Sequence, residues 1–410
     1  MKTNKKKRIC SIFMLLCLLF LSVAGSLQTI YAKKSTQPAG YTAFGDSIAA
    51  GYSLDGYAPD QTNAPAGSYQ SLTAAFLKTQ SHNYAVTGNT SDDCISLLHS
   101  GKADKDLADA DIITLSIGSN DLLLPFIQIV MDYFTSGVQT QDPAVTDPAA
   151  ADPAVIDPAI IEEQIKNGFS IPPSAIAKLP EYLQKCEGLL NQLSDHATLH
   201  AQAAAFADKF AAILSILHEK APEAEIYVTN IYNPFAFIPK IEELADLYIQ
   251  EINQAFSANA PDYTLIDVYT PFHSQQLTNV QIDLTGNKIR LDPHPSPEGH
   301  AVISNLITNA LKKAHAPKAA AIRALSSTSK KKLTVNIKLP ANADGCRIFY
   351  ASSKNGNYQA LGKTTANTFQ TNVKKLKKGN TYYIRVQSYQ TIHGVTYYGS
   401  DSSAKKIKIR

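Results

Sequence analysis

The sequence predicts an α/β protein, a mostly parallel sheet with helices on both faces, followed by a small all-β sandwich. Three observations carry this. Over roughly residues 41–313, short apolar runs of strand length alternate with amphipathic stretches of helical period. Beyond 317, strand-like runs succeed one another with only turn residues between them. The charge changes sign at the same place. Residues 33–316 hold 15 basic and 33 acidic residues, a net of −18, whereas 317–410 hold 18 basic and two acidic residues, a net of +16. Such a reversal within one chain argues for separate modules. A chain of 410 residues, 44% hydrophobic and 18% charged, has ample material for a large core, which excludes collagen-like and wholly disordered readings.

The elements follow in order. Lys5–Arg8 is a basic run, Ile9 to about Ala24 is apolar, and a polar, small-residue region leads to Ala32. This is the order of a secretory signal peptide, so residues 1–32 are read as a signal and the protein as secreted or extracellular. An uncleaved anchor is the alternative, for which the apolar core is short of the roughly 20 residues a span needs. Residues 33–40 form a linker. Tyr41–Phe44, Ile112–Ile117, Ile226–Ile231 and Leu265–Val268 read as strands. Ser71–Lys78, Phe206–Leu217, Ile241–Phe256 and a stripe near 300–313 read as helices. Residues 142–160 repeat Asp-Pro-Ala every five residues. Proline removes donors and fixes the backbone, so this stretch is a surface insert, either a tolerated expansion or an entrance flap. After the signal, Cys94, Cys186 and Cys346 remain, an odd number at wide spacing. Isolated buried thiols are the simpler reading and a Cys94–Cys186 pair the alternative.

Four short blocks carry chemistry. Phe44-Gly45-Asp46-Ser47 ends the first strand, where a serine at a strand-to-helix turn can project its hydroxyl toward free amides. Val86-Thr87-Gly88-Asn89-Thr90 offers a glycine that allows a backbone N–H to approach a substrate. Ser116-Ile117-Gly118-Ser119-Asn120-Asp121 follows a strand and brings an amide side chain to the sheet edge. Asp292-Pro293-His294-Pro295-Ser296-Pro297 places a histidine between two prolines, in a rigid loop before a helix capped by Ser296 and begun by Pro297. Each block alone reads as an ordinary turn or cap.

As a set, in this order and spacing, the four blocks resemble the GDSL/SGNH hydrolase family over roughly 41–313. The resemblance implies a flavodoxin-like α/β domain over 41–316 and a serine esterase or lipase that cleaves carboxylic esters of lipids or acylated carbohydrates. It implies Ser47 as nucleophile and His294 as general base. The Ser47 amide, the Gly88 amide and the Asn120 side chain would form the oxyanion hole, with Asp46 and Asp121 as loop-holding residues. The family's acid usually lies three residues before the histidine, where this chain has Leu291; Asp292 lies two before. In an extended chain residues two apart face one side, so Asp292 can reach His294 and is taken as the acid. A backbone carbonyl is the alternative orienter.

Within 317–410, the segment Leu376–Val386, together with Ala343–Ile348 and Ser353–Tyr358, resembles a fibronectin type III module, with Tyr382 at the corner position and Ile337 where such modules usually carry tryptophan. Its lysine runs are either a solvated surface or a contact for an anionic cell wall, an acidic glycan or the acidic catalytic domain. No RNP-type or helix-turn-helix pattern points to nucleic acid. No ligand spacing suggests zinc, and no G-x-x-x-x-G-K-S/T or G-x-G-x-x-G motif suggests a nucleotide, so no metal or organic cofactor is expected. The competing function is a binding or adhesion protein that uses the hydrolase domain as scaffold.

Overall fold

A computed structural model describes residues 37–59, 63–136, 169–171, 191, 193, 194, 196–235, 239–258, 262–283, 289–328, 332–372 and 376–410. The signal segment, the first half of the linker, the Asp-Pro-Ala insert and Cys186 lie outside the described residues. The chain divides into two units, with breaks between Gln37 and Pro38 and between Ala314 and His315.

In the unit up to Ala314 the order is β1 (Tyr41–Gly45), α1 (Ser47–Ala50), α2 (Tyr69–Leu77), β2 (Ser81–Asn83), α3 (Ser91–His99), α4 (Asp104–Ala108), β3 (Ile112–Ser116), α5 (Ser119–Ser136), β4 (Phe169–Ile171), α6 (Ala197–Lys220), β5 (Glu225–Thr229), α7 (Pro239–Ala258), β6 (Thr264–Ile266), α8 (Tyr269–Ser274), α9 (Gln276–Asn279), β7 (Val280–Asp283), β8 (Ile289–Pro295) and α10 (Pro297–Ala314). Five strands form one parallel sheet in the order β2-β1-β3-β5-β6. β1 and β3 are buried along their whole length. Strands covered on both faces need continuous apolar or small residues, as in Tyr41-Thr-Ala-Phe-Gly45 and Ile112-Ile-Thr-Leu-Ser116. The main core packs α6 and α7 together through Phe206, Phe210 and Phe256, whose rings meet at 4.9–5.8 Å between centroids. Those separations are the stacked and edge-to-face distances that add to plain burial.

Two features differ from the sequence reading. β4, β8 and β7 form a separate antiparallel sheet, and it brings His294 onto the end of a strand, not into a loop. The two prolines flanking it already favour extended backbone, so the strand continues through them. β2, of sequence Ser-His-Asn, carries no apolar signal because it is an edge strand with an exposed centre.

The second unit holds β9 (Ala321–Thr328), β10 (Lys332–Lys338), β11 (Gly345–Ala351), β12 (Gln359–Thr364), β13 (Thr368–Asn372), β14 (Thr381–Ile392), β15 (Val395–Asp401) and β16 (Lys405–Lys408). They form two antiparallel sheets, β13-β10-β9 and β12-β11-β14-β15, with β16 also paired to β14. β14 alternates half-buried and buried residues over all 12 positions, the period-2 pattern of a strand with one face on a core. That core includes Leu333, Val335, Ile337, Ile348, Ile384 and Val386. The Tyr382 hydroxyl accepts a hydrogen bond from the Lys377 N–H at 3.0 Å and closes the turn before β14.

Candidate active site

The strand order reverses between β1 and β3, because the chain leaves β1 outward to β2 and returns to build the other side. At such a switch point the loops beyond the carboxyl ends of neighbouring strands separate and leave a crevice. Ser47 follows β1 and Asn120 follows β3, so both stand at this edge. β1 must pass close to β3 there. A Cβ on Gly45 would lie 2.2 Å from the Ser116 carbonyl oxygen, which only glycine avoids. Asp46 is the N-cap of α1 and accepts from the Ile48 N–H at 3.0 Å. Its burial pushes its pKa up to about 7, against the lowering by that bond.

Ser47, His294 and Asp292 form a continuous hydrogen-bonded chain. Ser47 Oγ is 2.9 Å from His294 Nε2, and His294 Nδ1 is 2.6 Å from Asp292 Oδ1. Asp292 Oδ1 also accepts the His294 backbone N–H at 3.1 Å. Asp292 Oδ2 accepts from Ser53 Oγ at 2.6 Å. Asp292 is 1% exposed. Burial raises its pKa, but bonding to His294, the histidine's charge and the Ser53 hydroxyl outweigh that and leave it below the usual value. The Tyr52 ring packs against the imidazole at 4.6 Å between centroids. The Tyr232 hydroxyl donates to the Pro293 carbonyl at 2.6 Å, holding the backbone beside the histidine. Ser296 Oγ accepts from the Gly299 N–H at 3.0 Å and caps α10.

Gly88 and Asn120 reach the same place from two other loops. Gly88 has φ +87, a conformation that disfavours a side chain, and nothing lies within 4 Å of where a Cβ would stand. Its turn closes through the Asn89 N–H on the Val86 carbonyl at 3.2 Å. The loop is tied to β1 by the Val86 N–H on the Gly45 carbonyl at 3.1 Å. Asn120 Nδ2 donates to the Asn89 carbonyl at 2.9 Å, which fixes the amide's orientation. Asp121 accepts from both the N–H and the hydroxyl of Ser91, the former at 3.0 Å, and so ties α5 to the start of α3.

Ser47, Gly88, Asn120 and His294 all line a cavity of about 670 Å³. Asp292 lies behind the histidine and does not line it. The remaining wall is mostly apolar: Leu122 to Leu124 and Phe126 from α5, Ile231 and Phe235 after β5, and Ile241, Leu244, Ala245, Tyr248 and Ile249 from α7. The α7 residues recur at helical spacing on one face. A cavity of this size matches the 300–1,000 Å³ range of small-molecule sites.

Three residues around the histidine, Tyr52, Ser53 and Tyr232, belong to none of the four sequence blocks. Ser53 touches Asp292 across 239 residues, a contact with no local signal. Elsewhere, Glu242, Asp246 and His273 bring potential ligand atoms within 4.8 Å of one another. They are already engaged: His273 Nδ1 lies 3.4 Å from Glu242 Oε1, and Asp246 accepts from Asn233 Nδ2 at 2.9 Å. Cys94 and Cys346 are buried free thiols, and burial pushes them up to about 12 and about 11.

The model of the GDSL-like lipase/acylhydrolase family matches residues 43–302. No curated protein sequence matches the chain. Among solved structures, a lipase from a goat rumen metagenome is similar at 17% identity and TM-score 0.42, over 66% of this chain and 96% of that one. Phospholipase A1 from Streptomyces albidoflavus is similar at 16% identity and TM-score 0.42, over 66% of this chain and 99% of that one. An extracellular lipase from Streptomyces rimosus is similar at 16% identity and TM-score 0.39, over 66% and 98%.

Proposed function

The chain belongs to the GDSL-like lipase/acylhydrolase family and is a carboxylic ester hydrolase, and from that premise we propose that it works through a Ser47–His294 acyl-enzyme on esters with an extended apolar acyl chain. The observation that carries this reading is the Ser47–His294–Asp292 chain at 2.9 and 2.6 Å opening onto a mostly apolar cavity of about 670 Å³.

In this mechanism Ser47 Oγ attacks the ester carbonyl while His294 Nε2 takes its proton. The imidazolium that forms is held by Asp292, which keeps the proton-bearing Nδ1 directed at Oδ1. The carbonyl's electron pair moves to oxygen, and the oxyanion is met by the Ser47 and Gly88 backbone N–H groups and Asn120 Nδ2. Such donors, fixed before the reaction, act where charge develops. The intermediate collapses, His294 protonates the leaving alcohol, and an acyl-serine remains. Water, deprotonated by His294, then attacks the acyl carbon and releases the acid and Ser47.

The apolar wall favours a lipid-type acyl group over a short acetyl group. A panel of p-nitrophenyl esters of rising chain length, run beside acetylated sugars, tests this. Turnover that rises from acetate toward octanoate supports the reading, and a preference for acetylated sugar overturns it. Export through the segment 1–32 and a fibronectin type III-like role for the second unit, contacting an anionic wall through its basic surface, belong to the same proposal. The net charge of +16 over 317–410 supports the wall contact.

A further inference from the structure

We propose that Ser53 is a positioning residue that holds Asp292, and through it His294, in the geometry needed for proton transfer. This rests on the Ser47–His294–Asp292 reading given above.

Ser53 has φ +68, a left-handed conformation that is strained for a residue with a side chain. The same excursion uses glycine for two other left-handed positions, Gly51 at φ +75 and Gly56 at φ +84. Position 53 instead carries a hydroxyl, and that hydroxyl donates to Asp292 Oδ2 at 2.6 Å. The partner is a carboxylate almost fully removed from water, and such a group is costly unless its oxygens are bonded. Oδ1 is committed to the His294 ring and backbone. Ser53 serves the other oxygen, which sets the rotation of the carboxylate about its own axis and so the direction of Oδ1.

The placement couples three functions in one short stretch. Ser47 begins α1, and the Tyr52 N–H returns to the Ser47 carbonyl at 3.0 Å. Tyr52 packs its ring on the imidazole, and Ser53 holds the acid. Residues 47–53 therefore supply the hydroxyl that reacts, the surface that confines the base and the donor that orients the acid. The Tyr57 hydroxyl, bonded to Thr87 Oγ1 at 2.6 Å, anchors the end of the excursion to the Gly88 loop. The arrangement supplies a firm hold on an acid that sits two residues from its histidine on an extended strand.

The test uses the full-length protein with p-nitrophenyl butyrate. Ser53→Ala and Ser53→Gly both remove the hydroxyl, but glycine relieves the backbone, so Ser53→Gly keeps the test valid if the alanine variant folds poorly. Ser53→Gly should lower kcat about tenfold with KM within about twofold, the low end of what a hydrogen bond to a charged group is worth. The acid limb of kcat/KM should move to higher pH. The donor favours the ionised carboxylate, and without it the Asp292–His294 pair holds a proton to higher pH. In an Asp292→Asn background the same change should cost less than about twofold, because the group it acts through is gone. A kcat within twofold of the parent with an unmoved limb overturns the proposal, as does an undiminished tenfold loss in the Asp292→Asn background. Ser47→Ala separates the two levels. If it still turns over the ester, the nucleophile reading falls and Ser53's role with it. If it is dead while Ser53→Gly is normal, only the Ser53 role falls.

Discussion

Replacing Ala245 with phenylalanine places a ring where α7 borders the cavity, beside Leu244, Tyr248 and Ile249. Each methylene moved from water into such an apolar space contributes about 0.8 kcal/mol. Between butyrate and octanoate this reaches at most about 3 kcal/mol, roughly a two-hundredfold preference in kcat/KM for the longer ester. Ala245→Phe fills part of the cavity without changing the Ser47, Gly88, Asn120 or His294 side chains. The octanoate-to-butyrate ratio should fall at least tenfold, while kcat on butyrate stays within about threefold. The assay is initial-rate hydrolysis of the two p-nitrophenyl esters below the concentration at which octanoate forms micelles. An unchanged ratio, with the ring introduced and the fold retained, would refute the assignment of this wall to the acyl chain.

Two further outcomes follow from the site. Asn120→Ala should lower kcat by about 10²–10³, or some 2.7–4 kcal/mol of barrier, with little change in KM, because the lost donor acts on charge present only in the transition state; a loss under fivefold would remove Asn120 from the oxyanion site. His300 is fully buried, and burial first, then the charge of His294, push its pKa down to about 3. The unfolded chain takes up that proton below about pH 6.5 and the folded chain does not, so His300 costs stability as pH falls from about 6.5 toward 3. Asp46, raised to about 7, works in the opposite sense, because the folded chain holds a proton that the unfolded chain releases above about pH 4. Urea unfolding should therefore show His300→Asn gaining on the parent by up to about 1.4 kcal/mol per pH unit over that window. The asparagine oxygen can take over the bond from the Tyr69 N–H, which reaches His300 Nδ1 at 3.2 Å. A stability difference that does not vary with pH would refute the buried neutral histidine.

The parallel sheet was legible because its central strands are short, apolar and followed by turn residues: Ile112–Ile117 reads as a strand from its apolar, β-branched run, and the strand spans Ile112–Ser116. Ser47, Gly88, Asn120 and His294 could be singled out only as a set, because their four blocks, each an ordinary turn or cap alone, resemble one hydrolase family in order and spacing. What escaped has physical reasons. The edge strand Ser81–Asn83 has no apolar pattern, and Ser91–His99 announces itself only by a capping box between Thr90 and Asp93. The helix read over Ile241–Phe256 carries an apolar stripe whose part from Ile241 to Ile249 lines the cavity, and periodicity does not distinguish a cavity wall from a core face. The antiparallel sheet that carries His294 joins segments more than 100 residues apart. Ser53 depends on a left-handed backbone at a non-glycine residue and on a partner 239 positions away.

The central claim is that Ser47 is the nucleophile activated by His294. The most direct measurement is peptide mass spectrometry of the protein after reaction with a p-nitrophenyl phosphonate carrying an octyl chain. The phosphonyl group should be found on Ser47 at one equivalent per chain, with p-nitrophenol released in step, and His294→Ala should slow labelling by several orders of magnitude. Stoichiometric labelling of a different residue, or labelling that proceeds unchanged in Ser47→Ala, would contradict the account.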